Sequence, residues 1–161
     1  MITPYDLATS AEVPQPINKL DLLRLSRDLE TEARASHPTQ IRAALQDVRH
    51  LSGQTRRVYT ALATHAEVVL LARGLPAYVA AGVRGVALDE DDPLVDQWCV
   101  VMAGGIRPVV LAAIDLELGS AVDLSRAVDQ DRCFRYAVSR DPLVVAACLV
   151  ALTEHDVVGR Y

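Results

Sequence analysis

A chain of 161 residues that is 51% hydrophobic and 23% charged carries enough apolar surface for one folded domain and too much for general disorder. Its net charge of −5 excludes a basic nucleic-acid footprint, and an aromatic content of 4% excludes a base-stacking platform built on several exposed rings. Cys99, Cys133 and Cys148 are odd in number and widely spaced, so they read as buried free thiols in a reducing cytoplasm, not as a disulfide framework or a zinc site.

Met1–Pro16 is weakly patterned and predicts a flexible leader arm, leaving residues 17–161 as a single domain. Asn18 can cap a helix, with Asp21 in its first turn and Leu22, Leu25 and Leu29 on one face; this helix ends near Ser36. His37-Pro38 then predicts a second helix with the stripe Ile41, Ala44, Leu45 and Val48. Ser52-Gly53 breaks it, and a third helix from Gln54 buries Val58, Tyr59 and Leu62. Glu67–Arg73 is the first predicted strand, followed by a short β-like segment at Val83–Leu88.

The segment Asp89–Glu117 organises the rest. An acidic turn and a helical turn around Leu94–Asp96 lead into the apolar run Trp98–Ala103, Gly104-Gly105 reverses the chain, and Pro108–Leu118 returns. Two β-rich runs joined by Gly-Gly predict a central antiparallel hairpin. Asp123–Val128 is ambiguous between short helix and loop, Cys133–Ser139 is a further strand, and Asp141-Pro142 caps a closing helix whose body, Leu143–Leu152, is apolar nearly all round. Three helices, then strands with short links, then a helix predict an α+β fold with a mainly antiparallel sheet of about five strands.

Chemistry is harder to place. His37, His50, His65 and His155 have no histidine partner at i+3 or i+4, so a metal site is not indicated, and no cofactor is named by any motif. Ser26 lacks the GxSxG elbow, and Asp89–Asp92 lacks the alternate ligands of a calcium loop. Fifteen of the sixteen basic residues are Arg and only Lys19 is Lys, which reads mainly as codon bias. Two polar sets remain as candidate ligand-binding residues. Ser26, Arg27, Glu30 and His37 lie on and just after the first long helix; Trp98, Arg107, Asp115 and Glu117 belong to the hairpin.

The segments Leu25-Ser26-Arg27-x-Leu29-Glu30, Tyr59-x-x-Leu62-Ala63, Val68–Ala72, Asp92-Pro93-Leu94 with Trp98-Cys99-Val100-Val101, Val110–Leu116, and Phe134 through Asp141-Pro142-Leu143-Val144 together resemble the DICT sensory domain family, over Leu20 to Leu152. The family often closes the second hairpin strand with a charged pair, where this chain has Ile114-Asp115 and Glu117. The resemblance implies a stand-alone bacterial sensory module, acting through a separate chain.

The expectation is therefore a non-enzymatic signalling or regulatory module that binds a small molecule or a partner protein, with no direct nucleic acid. The alternative is a small hydrolase or transferase whose site is assembled by tertiary contacts around Ser26 and His37. The apolar closing helix predicts a homodimer or a complex with a regulatory chain through Val145 and Leu149. No signal-peptide pattern opens the sequence and its longest apolar run falls short of the roughly 20 residues of a membrane span, so a soluble cytoplasmic protein is expected.

Overall fold

In the computed structural model, which describes residues 1–116 and 132–158, the chain forms four helices and one mixed sheet of eight strands. Across the sheet the order is β1 (Gln15–Asn18), β8 (Cys133–Ser139), β7 (Val109–Asp115), β6 (Gln97–Ala103), β2 (Gln40–Asp47), β3 (Glu67–Arg73), β5 (Val83–Ala87) and β4 (Tyr78–Ala80). β2, β3 and β5 run parallel to one another, whereas β6, β7, β8 and β1 continue from β2 in antiparallel pairs. The α+β class holds. The sheet is larger than the five strands expected, and a parallel group interrupts its antiparallel pairing.

Helices cover both faces. α2 (Lys19–Ser36) and α3 (Gly53–Leu62) bury Leu22, Leu29, Ala33, Tyr59 and Leu62 against Ile41, Ala43, Val100 and Leu111. α1 (Pro4–Ala11) and α4 (Pro142–Val158) bury Ala8, Val145, Cys148 and Leu152 against Ala44, Val69, Val101 and Val110 on the other. The strands between them are apolar on both faces, which is why they show little alternation.

Three local expectations need correction. Met1–Pro16 is no loose arm: Thr3 and Asp6 form a reciprocal capping box around Pro4 at the first turn, which starts α1, and β1 then pairs with β8. The predicted second helix over Pro38–Val48 is instead β2. An apolar spacing of three and four residues also suits a strand buried on both faces, and here β2 lies between β3 and β6. His37 does not open a helix but closes α2, with its backbone in the left-handed region at φ 53°. The short strand β4 was not expected.

Other elements match their local signals. Asn18 caps α2, Ser52 caps α3, and Asp141 accepts a hydrogen bond from the Leu143 amide at the start of α4. β6 and β7 form the expected hairpin, with Gly104 and Gly105 both at positive φ. A Cβ on Gly105 would lie 2.6 Å from the His37 carbonyl oxygen, so the turn can dock against the end of α2 only as glycine. Asp123–Val128 and Glu117 lie outside the described residues.

Candidate active site

Register places several chain segments at one end of the sheet. β2 and β3 terminate there, β6 begins there, β7 ends at Asp115, and Asn18 of β1 faces Cys133 of β8. Ligands in sheets with parallel strands favour this carboxyl end, near the point where strand direction changes. The change falls between β3, parallel to β2, and β6, antiparallel to it.

At this end, beneath α2, the Nζ of Lys19 lies 3.3 Å from Nδ1 of His50. Lys19 is almost wholly buried at 6% exposure, while His50, on the short turn after β2, is half-buried and reachable. An ammonium group can only donate, so in this contact Nδ1 is placed to accept. The Trp98 indole meets the same imidazole edge to face, with ring centroids 6.4 Å apart, and its Nε1 donates to Ser26 Oγ at 3.0 Å. Trp98 is thereby locked from one side by a helix and presents a wall to His50.

Charged side chains pair at this end. The Arg132 guanidinium pairs with Asp115, whose side chain is fully buried, and stacks over Phe134 at 5.5 Å. The Arg132 backbone carbonyl accepts from the Lys19 amide. Asp47 pairs with Arg49 at 3.2 Å and with Arg73 at 3.3 Å. Burial, and next the nearby charge of Arg49, lowers the pKa of Arg132; the backbone amide of Arg49 is the main cause of a lowered pKa for Asp47. Lys19, Arg49, Arg73 and Arg132 thus meet the carboxylates Asp47 and Asp115 here.

The expected site residues are divided by the fold. Ser26 and Trp98 touch each other, but Ser26 is buried and occupied by the indole. Arg27 donates to Glu30 at 3.1 Å and to Thr55 at 3.3 Å, while Glu30 and Tyr59 share a hydrogen bond. Burial is the main cause of the raised pKa of Glu30, and this group ties α2 to α3. Asp115 joins Arg132 at the site just described. His37 lies at the other end of α2, eighteen helical residues or about 27 Å from Lys19, so Ser26 and His37 do not assemble one site. Arg107 is also at that far end, paired with Glu32 at 2.7 Å.

Lys19, His50 and Arg132 were missed as a group. The signal available in the sequence was the solitary lysine beside a helix cap; its partner is 31 residues away and no spacing announces it. The cysteines offer no nucleophile on the α1/α4 face: burial raises the pKa of Cys99 well above the ordinary thiol value and that of Cys148 to about 11. Cys133, expected to be buried, is exposed. Val145, expected at an interface, is 1% exposed and packs on the sheet, and Leu149 is half-buried. Among the described residues no three His, Cys, Asp or Glu side chains gather as metal ligands, and no helix is long and apolar enough to cross a membrane.

These features define an α+β fold whose mixed sheet is covered on both faces, with a histidine and a buried lysine in contact at the carboxyl ends of its parallel strands. No family model matches the chain, and no curated protein matches it. Among solved structures the chain is similar to NucT from Helicobacter pylori, a nuclease, with a TM-score of 0.56 and 8% identity over 88% of this chain and 94% of that one. At that identity the likeness is one of fold. That finding stands against the expectation of a non-enzymatic sensory module.

Proposed function

We propose that the chain is a small hydrolase or transferase acting on a phosphate ester, with Lys19 and His50 at the centre of its site. The observation that carries this reading is the 3.3 Å contact between the buried Lys19 ammonium and His50 Nδ1. Where Lys19 donates to Nδ1, the ring presents an Nε2–H that can hydrogen-bond a phosphoryl oxygen. Arg132, Arg49 and Arg73 lie at the same end of the sheet, paired with Asp115 and Asp47, and the Trp98 ring limits the orientation of the imidazole. The nuclease NucT, similar in fold, suggests the phosphodiester as the ester to test first.

The cytoplasm remains the proposed compartment, supported by the buried thiols Cys99 and Cys148. A homodimer is proposed through the outward-facing Leu143 and Val150 of α4, which are 81% and 58% exposed, in place of Val145.

The test uses the purified chain with bis(p-nitrophenyl) phosphate, p-nitrophenyl phosphate and p-nitrophenyl acetate. Turnover of the diester is expected, falling roughly 100-fold or more in His50→Ala and in Lys19→Ala, while both variants stay folded. Failure to turn over any of the three substrates, or turnover untouched by both substitutions, would sink the proposal.

A further inference from the structure

The other end of α2 holds a second cleft, of about 340 Å³, between the C-terminal turns of α2 and α3. That volume is near the lower bound for pockets that enclose a small ligand, roughly 300 to 1,000 Å³. Its floor is apolar, formed by Ala33, Pro38, Leu62 and Ala66. Its rim carries Arg34, His37 and His65, all exposed, and among the described residues no carboxylate lines it.

Two features show that the cleft is held open by design of the backbone. His37 keeps its left-handed conformation because its amide donates to the Ala33 carbonyl and the glycine turn of the hairpin packs on its own carbonyl. The Ile106 amide donates to the Ser36 carbonyl at 2.9 Å and pins the same corner from the β6–β7 loop. A non-glycine residue at positive φ persists only where its surroundings enforce it, and such residues collect at ligand sites.

The charge of a ligand follows from a competition. Helix C-termini disfavour anions, and two converge here. Their carbonyls are already used, however: Ala33 accepts from His37, Ala61 from the Thr64 hydroxyl at 2.7 Å, and Leu62 from Ala66 at 3.1 Å. Glu30, one turn back on α2, is committed to Arg27 and Tyr59. Arg34, the permanent cation of the rim, therefore sets the sign, with the His37 and His65 rings beside it as hydrogen-bonding partners. The geometry points to a binding site for a small organic carboxylate with a compact apolar body, seated on Ala33 and Leu62 with its charge at Arg34, His37 and His65.

The probe is sodium benzoate, titrated into the full ¹⁵N-labelled chain, with benzylamine and inorganic phosphate as comparisons. Benzoate is expected to give saturable amide shifts confined to residues 33–37 and 61–66, with a millimolar dissociation constant. Benzylamine should leave these amides unmoved, and phosphate should bind at least tenfold more weakly because it lacks the apolar body. Arg34→Ala, at an exposed position that folding does not need, should weaken benzoate at least fivefold, and Arg34→Lys should recover part of the loss. The proposal is overturned if benzoate gives no saturable shifts, if benzylamine or phosphate binds as well, or if Arg34→Ala and His65→Ala both leave its affinity unchanged. This outcome is independent of turnover at His50.

Discussion

Two charged clusters lie on opposite faces of the same sheet and have opposite characters. On the α1/α4 face, register sets Arg84 of β5, Val69 of β3 and Arg42 of β2 side by side. Arg84 grips Asp156 of α4 with both guanidinium nitrogens, one bond measuring 2.6 Å, and Arg42 reaches Glu67 at 3.0 Å and Asp156 at 3.7 Å. His155 meets Asp92 at 2.9 Å alongside. There every cation named has a carboxylate of its own, and the product is a clamp that fastens the last turn of α4. On the α2/α3 face, the Lys19 ammonium lies 3.3 Å from a half-buried imidazole, and Asp47 and Asp115 pair with Arg49, Arg73 and Arg132. A carboxylate gripped by guanidinium groups fastens a packing; a half-buried histidine beside a lysine can be reached by a substrate.

The largest effect is expected from breaking the clamp. Asp156→Ala leaves Arg42, 5% exposed, and Arg84 facing each other without that carboxylate, and should cost about 3–5 kcal/mol in urea unfolding, with the Lys19–His50 contact unaltered in imidazole NMR shifts until the protein unfolds. His50→Ala reverses the pattern. Its ring is half-buried, so stability should change by no more than about 1 kcal/mol while phosphodiester turnover falls ~100-fold, about 2.7 kcal/mol in the barrier. An equal loss of stability in both variants would erase the distinction between the clusters.

Smaller effects sharpen it. Trp98→Phe removes the donor to buried Ser26 Oγ and should cost about 1–3 kcal/mol, with turnover reduced as the His50 ring loses its wall. Glu30→Gln concerns pH. The folded pKa of Glu30 is raised, so the folded state holds its proton more tightly than the unfolded one; stability from this group is full below the ordinary carboxylate pKa and is lost as pH rises through the folded value. The wild type should therefore lose stability as pH rises from the ordinary carboxylate range through that value, and Glu30→Gln should flatten this slope in thermal melts. A slope of the opposite sign would mean that Arg27, not burial, governs the group.

By itself the sequence determined the elements whose signals are local. Asn18 and Ser52 cap their helices through side-chain oxygens, Asp141-Pro142 starts α4, and Gly104-Gly105 reverses the hairpin because φ above zero is cheap only there. The capping box at Thr3 was equally local: Thr3, Pro4 and Asp6 stand together in the sequence. β2 was not decidable this way. Its stripe of Ile41, Ala44, Leu45 and Val48 satisfies a helix, and only insertion between β3 and β6, where both faces are buried, makes it a strand. The candidate site followed the same rule. Ser26, Trp98 and Asp115 were visible as isolated polar or aromatic residues in apolar settings, but Lys19, His50 and Arg132 join them through the registers of β1 with β8 and of β2 with β6. Such contacts span tens of residues and are fixed by which strands pair, a choice made by the burial of the whole sheet and written in no short stretch of the chain.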